Sequence, residues 1–257
     1  MNNQPSDVIK DKFQTDFNEG LLFEKWHNIY DRTDYLSRWA YDRLRVVLTT
    51  LDDFHLGREG RALDIGIGSG VLLEELAGRG AQVWGADYSE SIIRQSYEKY
   101  HCLKSDIAER LVHADIEYLP FDDGAFNLVT CLGVLEYLSE NKKAFGELHR
   151  ILSPGGYIVL SAASYHRVGA LLGLVIQKIR NMIKNRKPLS SADSSLHNHI
   201  RLVKPLALRR DAVESGFEVK KFICFGGKLF GRYYPIRFSI PGMLYVGDHC
   251  LLLLKKP

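Results

Sequence analysis

Five short apolar runs, at residues 61–65, 82–86, 111–114, 126–131 and 156–163, alternate with stretches of helical spacing near 70–78, 89–100 and 141–152. Runs of that length, bounded by Gly, Pro and Asp, predict buried strands, whereas apolar positions recurring three and four apart predict helices. Strand and helix in strict alternation build a parallel sheet with helices on both faces, so the expected fold is α/β, Rossmann-like and doubly wound, in three layers. Phe217–Phe225 and Leu244–Leu254 read as two further strands, with a glycine- and aromatic-bearing excursion between them, and Pro205–Val213 reads as a helix begun by proline and stopped at Gly216.

Ahead of the core, Asp34 is placed to cap a helix whose apolar stripe is Leu36, Ala40, Leu44, Val47, Leu48 and Leu51. Phe23, Trp26 and Tyr30 would share one face of a preceding helix, which either docks on the core or closes over a ligand. Leu171, Leu172, Val175, Ile176, Ile179 and Ile183 also recur at helical spacing, with Gln177, Lys178, Asn181, Lys184 and Asn185 on other faces, and Arg167, Lys178, Arg180, Lys184, Arg186 and Lys187 meet no acidic residue before Asp193. That amphipathic, basic helix at 168–185 is open to three roles: a packed cap, a roof over a lipophilic ligand, or a peripheral contact with anionic membrane. The expected organisation is a single domain: a helical cap at 1–58, a core at 59–163, an inserted helical lid at 164–210 and the sheet edge at 211–257.

Charge changes this picture more than composition does. Residues 164–257 carry 17 Lys and Arg against 5 Asp and Glu, whereas the preceding 163 residues carry 17 against 26, so the overall net charge of +3 conceals a bipolar molecule whose basic half attracts anions. Cys102, Cys131, Cys224 and Cys250 form no C-x-x-C pair, so neither a disulfide nor a metal site is expected. A polar first twenty residues and the absence of a run of about 20 apolar residues predict a cytoplasmic protein.

The candidate chemistry lies at residues 62–70, Ala-Leu-Asp-Ile-Gly-Ile-Gly-Ser-Gly, which read as a strand, a glycine turn and a helix N-terminus. Without Cβ atoms at Gly66, Gly68 and Gly70 the backbone can lie against a ligand while helical N–H groups face it. Asp87 stands 21 residues beyond Gly66, at the end of the next strand, where an acidic side chain accepts hydrogen bonds from ribose. A dinucleotide fingerprint would need glycine at position 71, and this chain has Val71.

With Asp64 ahead of the G-x-G-x-G turn, the sequence resembles class I S-adenosylmethionine-dependent methyltransferases of the small-molecule type. The resemblance continues through His113-Ala114-Asp115-Ile116, Leu119-Pro120-Phe121-Asp122-Asp123, Phe126-Asn127-Leu128-Val129 and Leu152-Ser153-Pro154-Gly155-Gly156. It implies that Asp64 and the glycine loop face the methionyl end of the donor and that Asp87 holds its ribose. Asp115 and Ile116 would take the adenine, and Tyr88 and Leu132 would complete the site for S-adenosylmethionine and its product S-adenosylhomocysteine. It also implies a sheet that is mostly parallel with an antiparallel last strand. The chain departs from the family at Asn127, Ser153 and Glu136; the last stands where many relatives carry His, at a position facing donor methyl or substrate.

Methyl transfer from a sulfonium is an in-line displacement that needs alignment and exclusion of water more than a perturbed base. For a hydroxyl acceptor the candidate bases are Glu136 and His199, with His166, His197 and His249 behind them, and Arg201 stands with Trp26, Tyr30, Leu172 and Ile176 as acceptor-side residues. No N/D-P-P-Y/F tetrapeptide follows the fourth apolar run, so a small, lipophilic, anionic acceptor leads, O-methylation ahead of N or C. Nucleic acid is the runner-up, and a donor-binding protein without catalysis is the third reading.

Overall fold

The computed structural model describes residue 29 and residues 35–164, 201–229, 232–238 and 248–257. Its eight strands form one sheet in the order β3-β2-β1-β4-β5-β8-β6-β7. The strands are β1 Arg61–Ile65, β2 Gln82–Asp87, β3 Leu111–His113, β4 Phe126–Leu132, β5 Leu152–Ala163, β6 Glu218–Leu229, β7 Arg232–Phe238 and β8 His249–Lys255. The helices are α1 Tyr35–Asp53, α2 Val71–Gly78, α3 Glu90–Cys102, α4 Lys142–Ile151 and α5 Pro205–Glu214.

Strands β1 to β5 run parallel, and the order reverses between β1 and β4, where a doubly wound sheet opens its ligand crevice. β8 lies antiparallel between β5 and β6. Residues 157–160 of β5 and 250–254 of β8 are apolar runs because both faces of the sheet are covered there. Ile158, Leu160, Leu252 and Leu254 meet Phe145, Leu148 and Leu208 of α4 and α5 on one side. Val159, Leu251 and Leu253 share the opposite face with Val46, Val47 and Leu51 of α1 and with Leu72, Leu73 and Leu76 of α2. These are the three expected layers, and α1 is the predicted cap helix, with Ala40, Val47 and Leu51 buried.

Two expectations about the strands need correction. The Ser153–Gly156 turn lies inside β5 as a bulge: Phe126 pairs with Leu152 and Leu128 with Tyr157, so four residues oppose one. The bulged segment is held from the far side, where Gly155 N–H donates to Lys256 O at 3.0 Å and Lys256 N–H to Gly156 O at 3.0 Å. The excursion after Phe225 is in part a hairpin, since β6 continues to Leu229 and β7 pairs back on it as an extra antiparallel edge strand. Residues 244–247, expected at the start of the last strand, lie outside the described residues, and β8 begins at His249.

Candidate functional site

A cavity opens at the carboxyl ends of β1, β2 and β4, lined by Asp64, the turn at residues 66–69, Val71, Leu72, Asp87, Tyr88, Asp115, Ile116 and Leu132. β1 delivers Asp64 and turns through Gly66, whose φ of 76° is open to glycine at little cost. A Cβ on Gly66 would also strike the Val134 side chain, so this turn admits only glycine. Gly70, at φ 77°, begins α2 without a side-chain cap, which leaves first-turn N–H groups facing the cavity. Tyr100 from α3 fixes this corner, its hydroxyl donating to Gly70 O at 3.2 Å.

Two buried carboxylates face this cavity. Asp64 accepts a hydrogen bond from the Thr130 hydroxyl at 2.6 Å. Burial pushes its carboxyl up to about 7, with the Thr130 bond opposing and the nearby Asp87 charge adding to the rise. Asp87 accepts from Ser89 N–H at 2.9 Å and from Gly68 N–H at 3.4 Å, which ties the end of β2 to the glycine turn. Burial pushes Asp87 up to about 6 in spite of those bonds. Asp115 reaches the same cavity with one oxygen already accepting from Glu117 N–H at 2.9 Å, and Tyr88 O contacts His113 Nε2 at 2.9 Å. Asp64, Gly66, Gly68, Asp87, Tyr88, Asp115, Ile116 and Leu132, all expected at a nucleoside donor, thus border one space, and Gly70 lies just behind it at the start of α2.

The loop after β4 departs from expectation. Glu136 sits in a 3-10 turn, Leu135–Tyr137, and its Oε1 accepts from Ala163 N–H at 3.0 Å, away from the cavity wall. Burial raises its carboxyl, and the charges of Arg43 and Arg201 work against that rise. The cavity is walled instead by Val134, Tyr137 and Leu138. Side chains one position apart on a tight turn diverge, so Tyr137 faces the ligand space where the sequence had pointed to Glu136. Arg201, expected to contact the acceptor, turns its guanidinium onto Leu135 O at 3.1 Å and onto Asn141 Oδ1. Of the other expected residues, His249 is buried between Trp39 and Phe225, with ring centroids 4.6 and 5.7 Å away. Trp26, Tyr30, Leu172, Ile176, His199 and the helix at 168–185 lie outside the described residues.

Arg43 is a cavity residue that sequence reasoning missed. It is buried on α1, its guanidinium lies 4.5 Å from the Trp39 ring, and its Nε has no hydrogen-bond partner. A Cβ on Gly133 would come within 2.7 Å of Arg43 Nη1, so the glycine after β4 makes room for the cation. A buried arginine four residues after tryptophan on an otherwise amphipathic helix was the available signal.

The architecture is that of a doubly wound protein binding a nucleoside at its topological switch point. Comparison with known proteins narrows the class. A family model described as a methyltransferase domain matches residues 63–160. The ubiquinone biosynthesis O-methyltransferase of Idiomarina loihiensis is 30% identical over 198 residues, 77% of this chain and 75% of that protein. The demethylmenaquinone methyltransferase of Clavibacter sepedonicus is 37% identical over 139 residues, 54% of this chain, which spans only 55% of that relative's length. Among solved structures, magnesium protoporphyrin IX methyltransferase from Synechocystis PCC 6803 with bound SAH superposes with a TM-score of 0.65 at 18% identity, over 97% of this chain and all of that one. The chain belongs to the S-adenosylmethionine-dependent methyltransferase family.

The residues present fit the donor that this family uses. Two buried carboxyls whose ionisation desolvation disfavours would be relieved by a ligand that brings hydrogen-bond donors and positive charge, and Gly66 and Gly68 bring bare backbone to the cavity beside them.

Proposed function

We propose that this protein transfers a methyl group from S-adenosylmethionine to a small lipophilic acceptor, with an oxygen nucleophile favoured. The observation that carries this reading is the chemistry of the cavity beyond the carboxylates, where Ile29, Val134, Tyr137 and Leu138 make a largely apolar wall beside Leu132 and Gly133. Such a wall desolvates an oily acceptor and excludes water from the reacting centre. The names of the two curated relatives point the same way, since both act in quinone biosynthesis.

The donor, when bound, supplies an electrophilic methyl on a sulfonium. Asp87 would hold the ribose hydroxyls, Asp115 the adenine amino group, and Asp64 the methionyl end with Arg43 beside it as a cation for the carboxylate. Tyr137 meets the acceptor as a neutral phenol: burial and the charges of Glu136 and Asp87 raise its hydroxyl, so it donates a hydrogen bond and does not serve as a base at working pH. Its part is to orient the nucleophile for in-line attack.

Incubation with methyl-labelled S-adenosylmethionine and three probes tests this: a catechol bearing a short isoprenoid chain, an aliphatic amine, and a total RNA preparation. Label extracted into organic solvent with the catechol is expected. Label confined to RNA, or none transferred to any probe while donor binds, would replace the reading with one of its two rivals.

A further inference from the structure

The wall formed by Val134, Tyr137 and Leu138 consists of one residue of the three-residue 3-10 turn Leu135–Tyr137, an element too short to fix its own position, and the residues that flank it. Its placement comes from outside. Arg201, the first described residue after Ser164, donates its N–H to Glu136 O at 2.7 Å and its guanidinium to Leu135 O at 3.1 Å. The same guanidinium reaches Asn141 Oδ1, and Asn141 Nδ2 donates to Asp211 Oδ2 of α5 at 2.8 Å. From the opposite side Ala163 N–H at the end of β5 donates to Glu136 Oε1. Glu136 Oε2 and Arg201 Nε remain buried without hydrogen-bond partners. A buried carboxyl and a partly buried guanidinium, each with a polar atom left unpartnered, are costly to hold unless their geometry is used.

We propose that Arg201 and Glu136 are positioning residues that clamp this turn between β5 and the chain leaving the acceptor-side segment, and so set the angle at which Tyr137 presents the acceptor to the donor methyl. The proposal rests on the methyl-transfer reading above. Glu136 acts through Oε1, an acceptor for Ala163, and never touches the substrate. The Arg201 side chain acts through Leu135 O of the turn and Asn141 Oδ1, while its backbone N–H holds Glu136 O. An in-line reaction is sensitive to displacements near 1 Å, so loosening this turn lowers turnover before it lowers donor affinity.

The test compares Glu136→Gln, Glu136→Ala and Arg201→Ala in the full chain, the last with and without added guanidinium ion. Turnover uses the isoprenoid catechol, and S-adenosylhomocysteine affinity is measured by calorimetry. Glu136→Gln keeps the acceptor oxygen and should retain kcat within about threefold, whereas Glu136→Ala and Arg201→Ala remove charge-assisted bonds and should lose roughly tenfold to a hundredfold in kcat. Donor affinity should stay within about twofold in all three, and guanidinium should restore part of the Arg201→Ala loss. Glu136→Gln as inactive as Glu136→Ala, or Arg201→Ala with unchanged kcat, overturns the clamp. If the wild-type protein leaves the catechol unmethylated, the functional reading fails by itself. Amide exchange then decides the clamp: Arg201→Ala should speed exchange at 134–138 and not at 66–70, reversibly with guanidinium, and unchanged exchange at 134–138 overturns it.

Discussion

Asp64 and Asp87 carry the most consequential chemistry of any single residues here, because each is buried with its carboxyl raised, to about 7 and about 6. An unfolded aspartate titrates near 3.9, so between pH ~4 and ~7 the ligand-free folded chain binds protons that the unfolded chain releases. The stability these groups contribute is therefore full below pH ~4 and lost as pH rises through ~6 to ~7. The melting temperature of the ligand-free protein should fall from pH ~5 to ~8 on their account, and the shift produced by S-adenosylmethionine should be larger at pH 8, where the ionised carboxylates await hydrogen-bond donors. A donor-induced shift that is larger at pH 5 would contradict the assignment. Gly133→Ala makes a second prediction at this scale: its Cβ would fall 2.7 Å from Arg43 Nη1, so the cation must move, and donor affinity should drop without loss of fold. Circular dichroism and calorimetry on the same sample check both halves. That Asp64, Asp87, Gly66 and Gly68 border one cavity was legible because their places follow from spacing along the chain. Arg43 and Tyr137 were not, since each depends on which way one side chain turns after tertiary packing.

At the scale of elements, the five parallel strands were legible nearly to the residue, because strands buried on both faces leave continuous apolar runs that polar helices interrupt. The bulge in β5 and the β6–β7 hairpin escaped for a common reason. Both are settled by pairing with a distant strand, β4 and β8 in the first case and the chain folding back on itself in the second, and local pattern holds no record of a partner. Arg150 of α4 shows how elements are tied without regular structure: it donates to Phe121 O at 2.6 Å, Leu119 O at 2.9 Å and Asp123 at 2.9 Å, fastening the approach to β4. Replacing Arg150 by Met removes these charge-assisted bonds, and with the side chain only partly exposed the expected loss is about 1.5–3 kcal/mol of stability in a urea titration. Donor affinity should change little, since none of these partners borders the cavity. Unaltered stability would mean that the loop is held by its own packing.

The whole molecule divides its tasks by region. Residues 61–164 build the donor site, and α1 covers one face and sends Arg43 into the cavity. β6–β8 extend the sheet, and Asp211 of α5 accepts a hydrogen bond from Asn141, which accepts in turn from Arg201. No described helix is long and apolar enough to cross a membrane. The central claim, that this cavity holds the methyl donor through Asp87, is tested most directly by titrating S-adenosylhomocysteine into the wild-type protein and into Asp87→Ala at pH 8. Losing the charged acceptor for the ribose should weaken binding by roughly tenfold to a hundredfold while the circular dichroism spectrum is kept. Equal affinity in a folded variant would contradict it.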